Sequence, residues 1–271
     1  MSGREFLKRS ESLVGAVHDC KRLLASVRPP ERQGLPPFAK RYLATAALKK
    51  LEIGSGPKPH EGWLGADKCA VSKETIYLDA TKSFPFADAT FDYIYNEHMI
   101  EHIAWGDGLS MLKECYRVLK PTGALRIATP DLAVVAGLLT SPDELAKRYI
   151  AFFTDSELKD VPGHKPAFVI NLAFHGWGHQ FLYDAETLEF TLRLAGFKSV
   201  SRHAPRQSGD SHLRGLESDR GSIEKNEVWD YGNLVLEART SACGALSESE
   251  VGCHKQREAL GAGLAGRKRG N

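Results

Sequence analysis

The chain has 271 residues, of which 42% are hydrophobic and 26% charged, an ordinary globular balance that suits one large α/β domain with appendages and a real core. Its 36 Lys+Arg stand against 34 Asp+Glu, a formal charge of +2, so nothing in the balance calls for a nucleic-acid or anionic-membrane partner. The five cysteines (Cys20, Cys69, Cys115, Cys243 and Cys253) are scattered, odd in number and free of any C-x-x-C pair, which argues against a disulfide framework or zinc–thiolate site and for a reducing compartment.

No apolar run approaches the ~20 residues that span a bilayer. Glu5, Lys8, Arg9 and Glu11 fall where a signal peptide would place its apolar stretch, so a soluble cytoplasmic protein is expected. In chain order, residues 4–27 read as an amphipathic helix, with Phe6, Leu13, Val17, Cys20 and Leu24 near helical spacing. The proline-rich stretch Arg28–Pro37 breaks it, and a short helix is expected over 38–46. Strands follow at Lys49–Ile53, Trp63–Asp67, Thr75–Asp79 and Phe91–Tyr95. A helix over 107–119 carries Leu109, Leu112, Tyr116 and Leu119 on one face, and Lys120–Gly123 stops it before a fifth strand, Ala124–Ala128. Helical signal returns at 131–139 and 142–153, residues 156–183 look irregular, and a helix follows between Asp184 as N-cap and Gly196 as C′ residue. Strands near 198–203 and 231–237 complete the sheet, and the Gly/Ala/Ser-rich residues 240–271, with the basic run Arg267–Arg269, read as a flexible tail.

Strands alternating with helical or loop crossovers imply a mainly parallel, doubly wound sheet. Ligands of such sheets bind beyond the carboxyl ends of the strands, at the switch point, so those ends are where chemistry is sought. After the first strand stand Gly54 and Gly56, flanking Ser55, where the lack of a Cβ lets backbone N–H groups approach a ligand. After the second stands Asp67, a two-oxygen acceptor suited to both hydroxyls of a ribose. After the third stands Asp79, followed by Ala80, where an acid can accept a hydrogen bond from the exocyclic amine of adenine; after the fourth stands the polar cluster Asn96-Glu97-His98.

On these residues the chain resembles the class I methyltransferases, in particular the type 11 methyltransferase-domain group. The matching stretches are Leu51-Glu52-Ile53-Gly54-Ser55-Gly56, then Asp67, then Leu78-Asp79-Ala80 with Phe84–Ile94, then Leu112–Leu125. Their order and spacing are more specific than any one of them, a lone G-x-G being weak. The resemblance implies a seven-stranded Rossmann-like sheet and S-adenosylmethionine as methyl donor. It implies that the Gly54–Gly56 turn meets the methionine part, Asp67 the ribose, and Asp79-Ala80 the adenine, with Glu52, Asn96, Glu97 and His98 in the same constellation. One departure stands out. The stretch Gly54–Gly62, with Pro57 and Pro59, is shorter than the dozen or so residues of a parallel crossover, so the first helix of the pattern is reduced to a loop and the helix-dipole argument for its turn weakens.

On the acceptor side the candidate catalytic residues are Asp131, which follows strand five, His102, and His175 and His179 in the aromatic, glycine-bearing stretch Asn171–Phe181. His98-Met99-Ile100-Glu101-His102 also matches H-x-x-E-H, the inverted zinc-protease motif. On a helix its two imidazoles would share a face and Glu101 would serve as base. It lies inside the methyltransferase pattern with no evident third ligand, so no metal site is expected, and a zinc metallopeptidase using His98, Glu101 and His102 stands as an alternative, as does a non-catalytic nucleoside-binding domain. The expected organisation is an N-terminal helical extension and linker (1–46), a methyltransferase domain (47–239) with a substrate-cover insertion (156–183), and a disordered C-terminal tail (240–271). The expected acceptor is an oxygen or nitrogen of a small-molecule or saccharide-like compound. No aromatic-plus-basic stripe favours RNA, and oligomeric state is not legible.

Overall fold

The computed structural model describes residues 34–69, 72–158, 161–217 and 221–241. The expected 4–27 helix, most of the linker after it and nearly all of the expected tail lie outside the described residues.

Among the described residues seven strands form one sheet in the order β3-β2-β1-β4-β5-β7-β6. They are β1 Lys50–Ile53, β2 Leu64–Asp67, β3 Thr75–Tyr77, β4 Phe91–Glu97, β5 Leu119–Pro130, β6 Ser199–His203 and β7 Asn233–Arg239. The first five are parallel, and β7 runs antiparallel to both β5 and β6. All five parallel carboxyl ends therefore share one edge of the sheet. The end of β6 and the start of β7 join them there, since Pro130 faces Asn233 and His203 faces Val235. The order reverses beside β1 and β4, the switch point at which open α/β sheets bind ligands.

The helices are α1 Pro37–Thr45, α2 Trp105–Val118, α3 Leu132–Gly137, α4 Glu144–Glu157, α5 Pro166–His175, α6 Ala185–Ala195 and α7 Ile223–Tyr231, with a single 3₁₀ turn at Ile100–His102. On one face of the sheet Leu51, Ile94, Leu125, Ile127, Leu234 and Leu236 pack with Ala39 of α1, Met111, Leu112 and Cys115 of α2, and Leu188 and Leu192 of α6. α6 ends as its sequence requires: Asp184 Oδ1 accepts from the Thr187 N–H at 2.8 Å, and Gly196 takes φ 119, the left-handed region that favours glycine.

The opposite face is built differently. No helix connects β1 to β2, and the side chains alternating out of β1, β4, β5 and β7 on this face include Glu52, Tyr95, Arg126 and Glu237. The segment 204–217 lies on it. Leu213 and Leu216 pack with Trp63, Tyr95 and Ala124, and Asp210 takes hydrogen bonds from Tyr93 (3.2 Å) and Arg239 (3.0 Å). A connection that enters far downstream thus covers the place left by the shortened first crossover.

Two expectations need correction. Residues 156–183 are not irregular throughout, because α5 occupies Pro166–His175. Pro166 sits at its first turn, where a missing N–H costs nothing. The sequence Pro-Ala-Phe-Val-Ile-Asn-Leu-Ala-Phe is apolar almost all round, so it offers no stripe to read. Likewise Lys120–Gly123 does not stop α2 ahead of a separate strand: β5 begins at Leu119, directly after Val118, and Leu119 pairs with Phe91. Lys120 Nζ holds both carboxylate oxygens of Asp92 at 2.8 Å, which fastens this stretch to the start of β4. α7, a largely polar helix, gave no sequence signal at all.

α4, α5 and α7 enclose a second small core of Ala146, Tyr149, Ile150, Phe153, Val169 and Val228, joined by Leu138 just beyond α3. α3 leaves the tip of β5 and α7 returns to β7, so this core stands at the carboxyl edge of the sheet. Among the described residues no helix is long and apolar enough to cross a membrane.

Candidate active site

The tip of β1 turns through Gly54 (φ 79) and Gly56 (φ 61), with Ser55 between them. The Gly54 N–H donates to Ala66 O at 2.8 Å, which holds the turn against the end of β2. A Cβ at Gly54 would lie 2.8 Å from Met99 Cβ, whereas one at Gly56 would have nothing within 4 Å. Gly54 is thus required by close packing, and Gly56 faces open space. Asp67, at the tip of β2, braces the turn: its Oδ2 accepts from the Gly56 N–H at 3.0 Å and its Oδ1 from the Cys69 N–H at 2.6 Å. Thr75 Oγ1 donates to Gly56 O at 2.9 Å from the neighbouring β3.

Beyond β3, Asp79 Oδ1 accepts from the Thr81 N–H and hydroxyl (3.1 and 2.8 Å), and Oδ2 lies 3.1 Å from Lys68 Nζ. Burial raises this carboxyl, but the Thr81 and Lys68 hydrogen bonds outweigh it and hold it below its ordinary value. Ala80 beside it is buried. At the tip of β4, Asn96 is fully buried. Its Nδ2 donates to Ile53 O at 3.0 Å, while its Oδ1 has no hydrogen-bond partner among the described residues. Glu97 follows, half-buried.

Glu52 stands apart from this group. It projects to the opposite face, where Oε2 accepts from the His60 N–H at 2.7 Å and lies 3.0 Å from His60 Nδ1. The pair pins the loop that replaces the first helix, and no sequence signal singled out His60. The Glu52 hydrogen bond raises the His60 pKa above its ordinary 6.5 against the opposing pull of burial. A histidine raised in the folded state stabilises fully below its unfolded value, and the contribution is lost as pH rises through the raised value. The stability gap between the native chain and His60→Ala, read by urea unfolding, should therefore be larger at about pH 5.5 than at about pH 9; a gap independent of pH would remove the pairing.

The stretch after β4 corrects the zinc-protease geometry. His98 is not on a helix but at φ 47, and only Ile100–His102 forms a single 3₁₀ turn. His98 and His102 therefore do not share a helical face. Instead His98 Nδ1 lies 3.1 Å from Glu101 Oε1, and its ring meets Trp229 of α7 edge-on at 5.4 Å. Glu101 is fully buried, and Thr129 Oγ1 donates to its Oε2 at 3.0 Å. Burial pushes this carboxyl up, and the His98 hydrogen bond, with the field of His98 and His102, brings it below its ordinary value.

Of the acceptor-side candidates, His102 and His179 are brought together, with ring centroids 4.9 Å apart and edge to face. Trp177 continues the row at 5.6 Å from His179. It adopts φ 52, a left-handed conformation uncommon for a bulky residue, and its side chain is exposed. His175 is exposed at the end of α5. Asp131 is buried with its carboxylate engaged: Oδ1 caps α3 by accepting from the Ala133 N–H at 2.9 Å, and Oδ2 lies 2.9 Å from Arg202 of β6. Arg202 escaped the sequence reading because only the antiparallel placement of β6 brings its end to this edge.

An open sheet with a glycine turn and acids at adjacent parallel tips, closed by an antiparallel β7 beside β5, is the Rossmann-like methyltransferase fold. Residues 58–127 match the family described as a methyltransferase domain, a match that starts after the Gly54–Gly56 turn and ends within β5. The chain carries such a domain and uses S-adenosylmethionine as its methyl donor. No curated protein matches it. Similar solved structures include an S-adenosylmethionine-dependent methyltransferase from Thermotoga maritima, 16% identical over 88% of this chain and 97% of that one, with a TM-score of 0.39. Another from Archaeoglobus fulgidus is 17% identical over 74% of this chain and 90% of that one, with a TM-score of 0.40. A third, a phosphoethanolamine N-methyltransferase 2 from Haemonchus contortus, is 16% identical over 74% of this chain and 52% of that one, with a TM-score of 0.37. These are loose overlaps.

Proposed function

We propose that this enzyme transfers a methyl group to an oxygen or nitrogen of a small-molecule or saccharide-like acceptor in the cytoplasm. The observation that carries the donor half is the convergence of Gly54, Asp67, Asp79 and Asn96 on one edge of four neighbouring strands. The residues present fit the donor: Gly56 offers open space where a side chain would stand, and the buried Asn96 Oδ1 is an acceptor without a partner among the described residues. When bound, S-adenosylmethionine supplies a methyl group on a sulfonium that leaves as a neutral thioether.

The chain's own residues then bind and align. The Gly54–Gly56 turn takes the methionine part through its open surface and carbonyl oxygens and not, as the sequence suggested, through its N–H groups, since those of Gly54 and Ser55 are given to Ala66 O and that of Gly56 to Asp67 Oδ2. Asp67 keeps acceptor capacity beyond its two backbone bonds, since an ionised carboxylate has about four lone-pair sites, and it takes the ribose. Asp79 and Ala80 take the adenine, and Asn96, Glu97 and His98 line the crevice beside them. Glu52 acts through His60 as a positioning residue. Asp67→Ala is expected to weaken S-adenosylhomocysteine binding by about 1.5–3 kcal/mol, the scale of a hydrogen bond to a charged group, as read by calorimetry. An unchanged affinity would take Asp67 out of the ribose role.

On the acceptor side the support is His102, His179 and Trp177. An exposed indole beside two imidazoles suits the C–H faces and hydroxyl groups of a saccharide-like compound. Strained backbone at a bulky residue such as Trp177 is of the kind that clusters at ligand clamps. Asp131, tied to its cap and to Arg202, orients α3 and β6. His175 takes no part in this arrangement. The cytoplasmic assignment draws support from the scattered, odd-numbered cysteines of the sequence. A labelled-methyl transfer assay against cell extract, fractionated by molecule class, tests the reading. Label in the small-molecule or glycan fractions is expected; label confined to protein, lipid or RNA overturns the acceptor half.

A further inference from the structure

We propose that Glu101, His102 and His179 bind one divalent cation of the zinc class through three protein ligands, leaving a coordination position open to an oxygen or nitrogen of the methyl acceptor. The cation site stands on its own geometry; the role of the open position rests on the acceptor reading above.

One candidate ligand atom from each of the three residues lies within 4.8 Å of the others. Two imidazoles and one carboxylate are the donor set of open zinc sites, and nitrogen donors favour zinc-like ions over the all-oxygen coordination of calcium and magnesium. The surroundings are those of a supported site. His179 Nδ1 lies 2.7 Å from Ala173 O. A carbonyl can only accept, so Nδ1 carries the hydrogen, and in the neutral ring Nε2 is then the nitrogen whose lone pair a metal would take. The Glu101 carboxylate is oriented through both oxygens, by His98 at 3.1 Å and Thr129 at 3.0 Å, and each oxygen has a further lone pair. Outer-shell partners of this kind hold a ligating group in place.

The two segments are also joined through the backbone. Gln180 N–H and Phe181 N–H donate to Glu101 O (2.7 and 3.2 Å), and Gln180 Nε2 donates to His102 O at 2.7 Å across 78 positions of sequence. The ligands are therefore brought together by protein contacts alone. Glu101 and His102 sit just after β4, whose tip carries Asn96, Glu97 and His98, and His179 is brought to them from the segment after α5, so the cation would lie at the same edge as the proposed donor residues. This differs from the zinc-protease reading of the sequence in its third ligand, His179 in place of His98, and in giving Glu101 a ligand's role in place of a base's.

The test uses the untagged full chain, stripped with a chelator and titrated with Co²⁺ and then Zn²⁺. The expected result is saturation at one ion per chain with a visible Co²⁺ d–d spectrum that Zn²⁺ removes. His179→Ala and Glu101→Gln should each weaken binding by at least about 100-fold, beyond the 10–100-fold of an outer-shell loss. His164→Ala, an exposed histidine paired with Asp155, should leave it unchanged. No saturable binding, or full affinity in both ligand variants, overturns the site. Should the variants fail to fold, labelling the native chain with diethyl pyrocarbonate decides: Zn²⁺ is expected to shield His102 and His179 and spare the labelling of His164, and equal labelling with and without Zn²⁺ overturns the proposal. Calorimetry with S-adenosylhomocysteine on the same samples separates the two readings. Donor binding without metal binding sinks only the cation site, and metal binding without donor binding sinks only the donor assignments.

Discussion

Gly54→Ala should abolish measurable S-adenosylhomocysteine binding and destabilise the fold by about 2–5 kcal/mol, the sum of two separate costs. The backbone at φ 79 is left-handed, which costs an L-residue with a Cβ roughly 1–2 kcal/mol. The added Cβ would then stand 2.8 Å from Met99 Cβ and 2.9 Å from Met99 Cγ. Met99 packs against the main core just ahead of the 3₁₀ turn, so it cannot withdraw without disturbing Ile100 and the backbone beside it, and overpacking of this kind costs about 1–3 kcal/mol. Gly56→Ala supplies the contrast. Its φ of 61 carries a similar backbone cost, but no described residue lies within 4 Å of the new methyl, so the stability loss should stay within about 1–2 kcal/mol while ligand affinity falls disproportionately. Urea unfolding and calorimetry on both variants check this. Equal destabilisation would mean that the Met99 contact does not shape the turn.

Arg126→Met should cost about 3–5 kcal/mol of stability, the penalty for leaving buried charge uncompensated. Arg126 is fully buried in the middle of β5. Its Nε and Nη2 bind the two carboxylate oxygens of Glu217 at 2.6 and 2.8 Å, and its Nη1 binds Glu237 Oε1 at 2.6 Å and Gln207 O at 3.0 Å. Glu237 is its cross-strand partner on β7, and His203 lies 3.4 Å from the other Glu237 oxygen. Without the guanidinium two carboxylates remain in a space closed to water. A triple variant in which Arg126, Glu217 and Glu237 are all made apolar should recover most of the loss, because the desolvation of the three charges disappears together. Urea unfolding measures both, and a single-variant loss below about 1 kcal/mol would show that water reaches the network. Glu217 and Gln207 belong to the segment that covers the face left open by the short β1–β2 connection. The single variant should therefore also weaken donor binding by loosening that cover.

The strand tips proposed for the donor side were far more legible in the sequence than the groups proposed for the acceptor side. Strands β1 to β4 are short runs that carry Gly54, Asp67, Asp79 and Asn96 at or just beyond their carboxyl ends, and in a parallel sheet such ends must share one edge whatever the tertiary detail. The limits of α6 were legible because Asp184 and Gly196 act within a turn of their own position. The loop after β1 was legible because too few residues are present for a helix. These are local constraints of steric reach, capping and chain length.

Contacts across long stretches of chain were not legible. α5 has no polar face to mark it, and its ends became visible only when Ala146, Ile150 and Val169 closed around one small core. His179 stands beside His102 because backbone donors of Gln180 and Phe181 find the Glu101 carbonyl. Asp131 is committed because antiparallel β6 delivers Arg202 to it. Arg126 lies in a strand the sequence predicts, but its burial against Glu217 comes only from the distant segment that lies over it. Sequence by itself determined the strand tips and their residue types, since backbone geometry acts over a few neighbours. Tertiary structure alone decided which side chains meet there, since packing and charge compensation act through space and leave no trace in spacing.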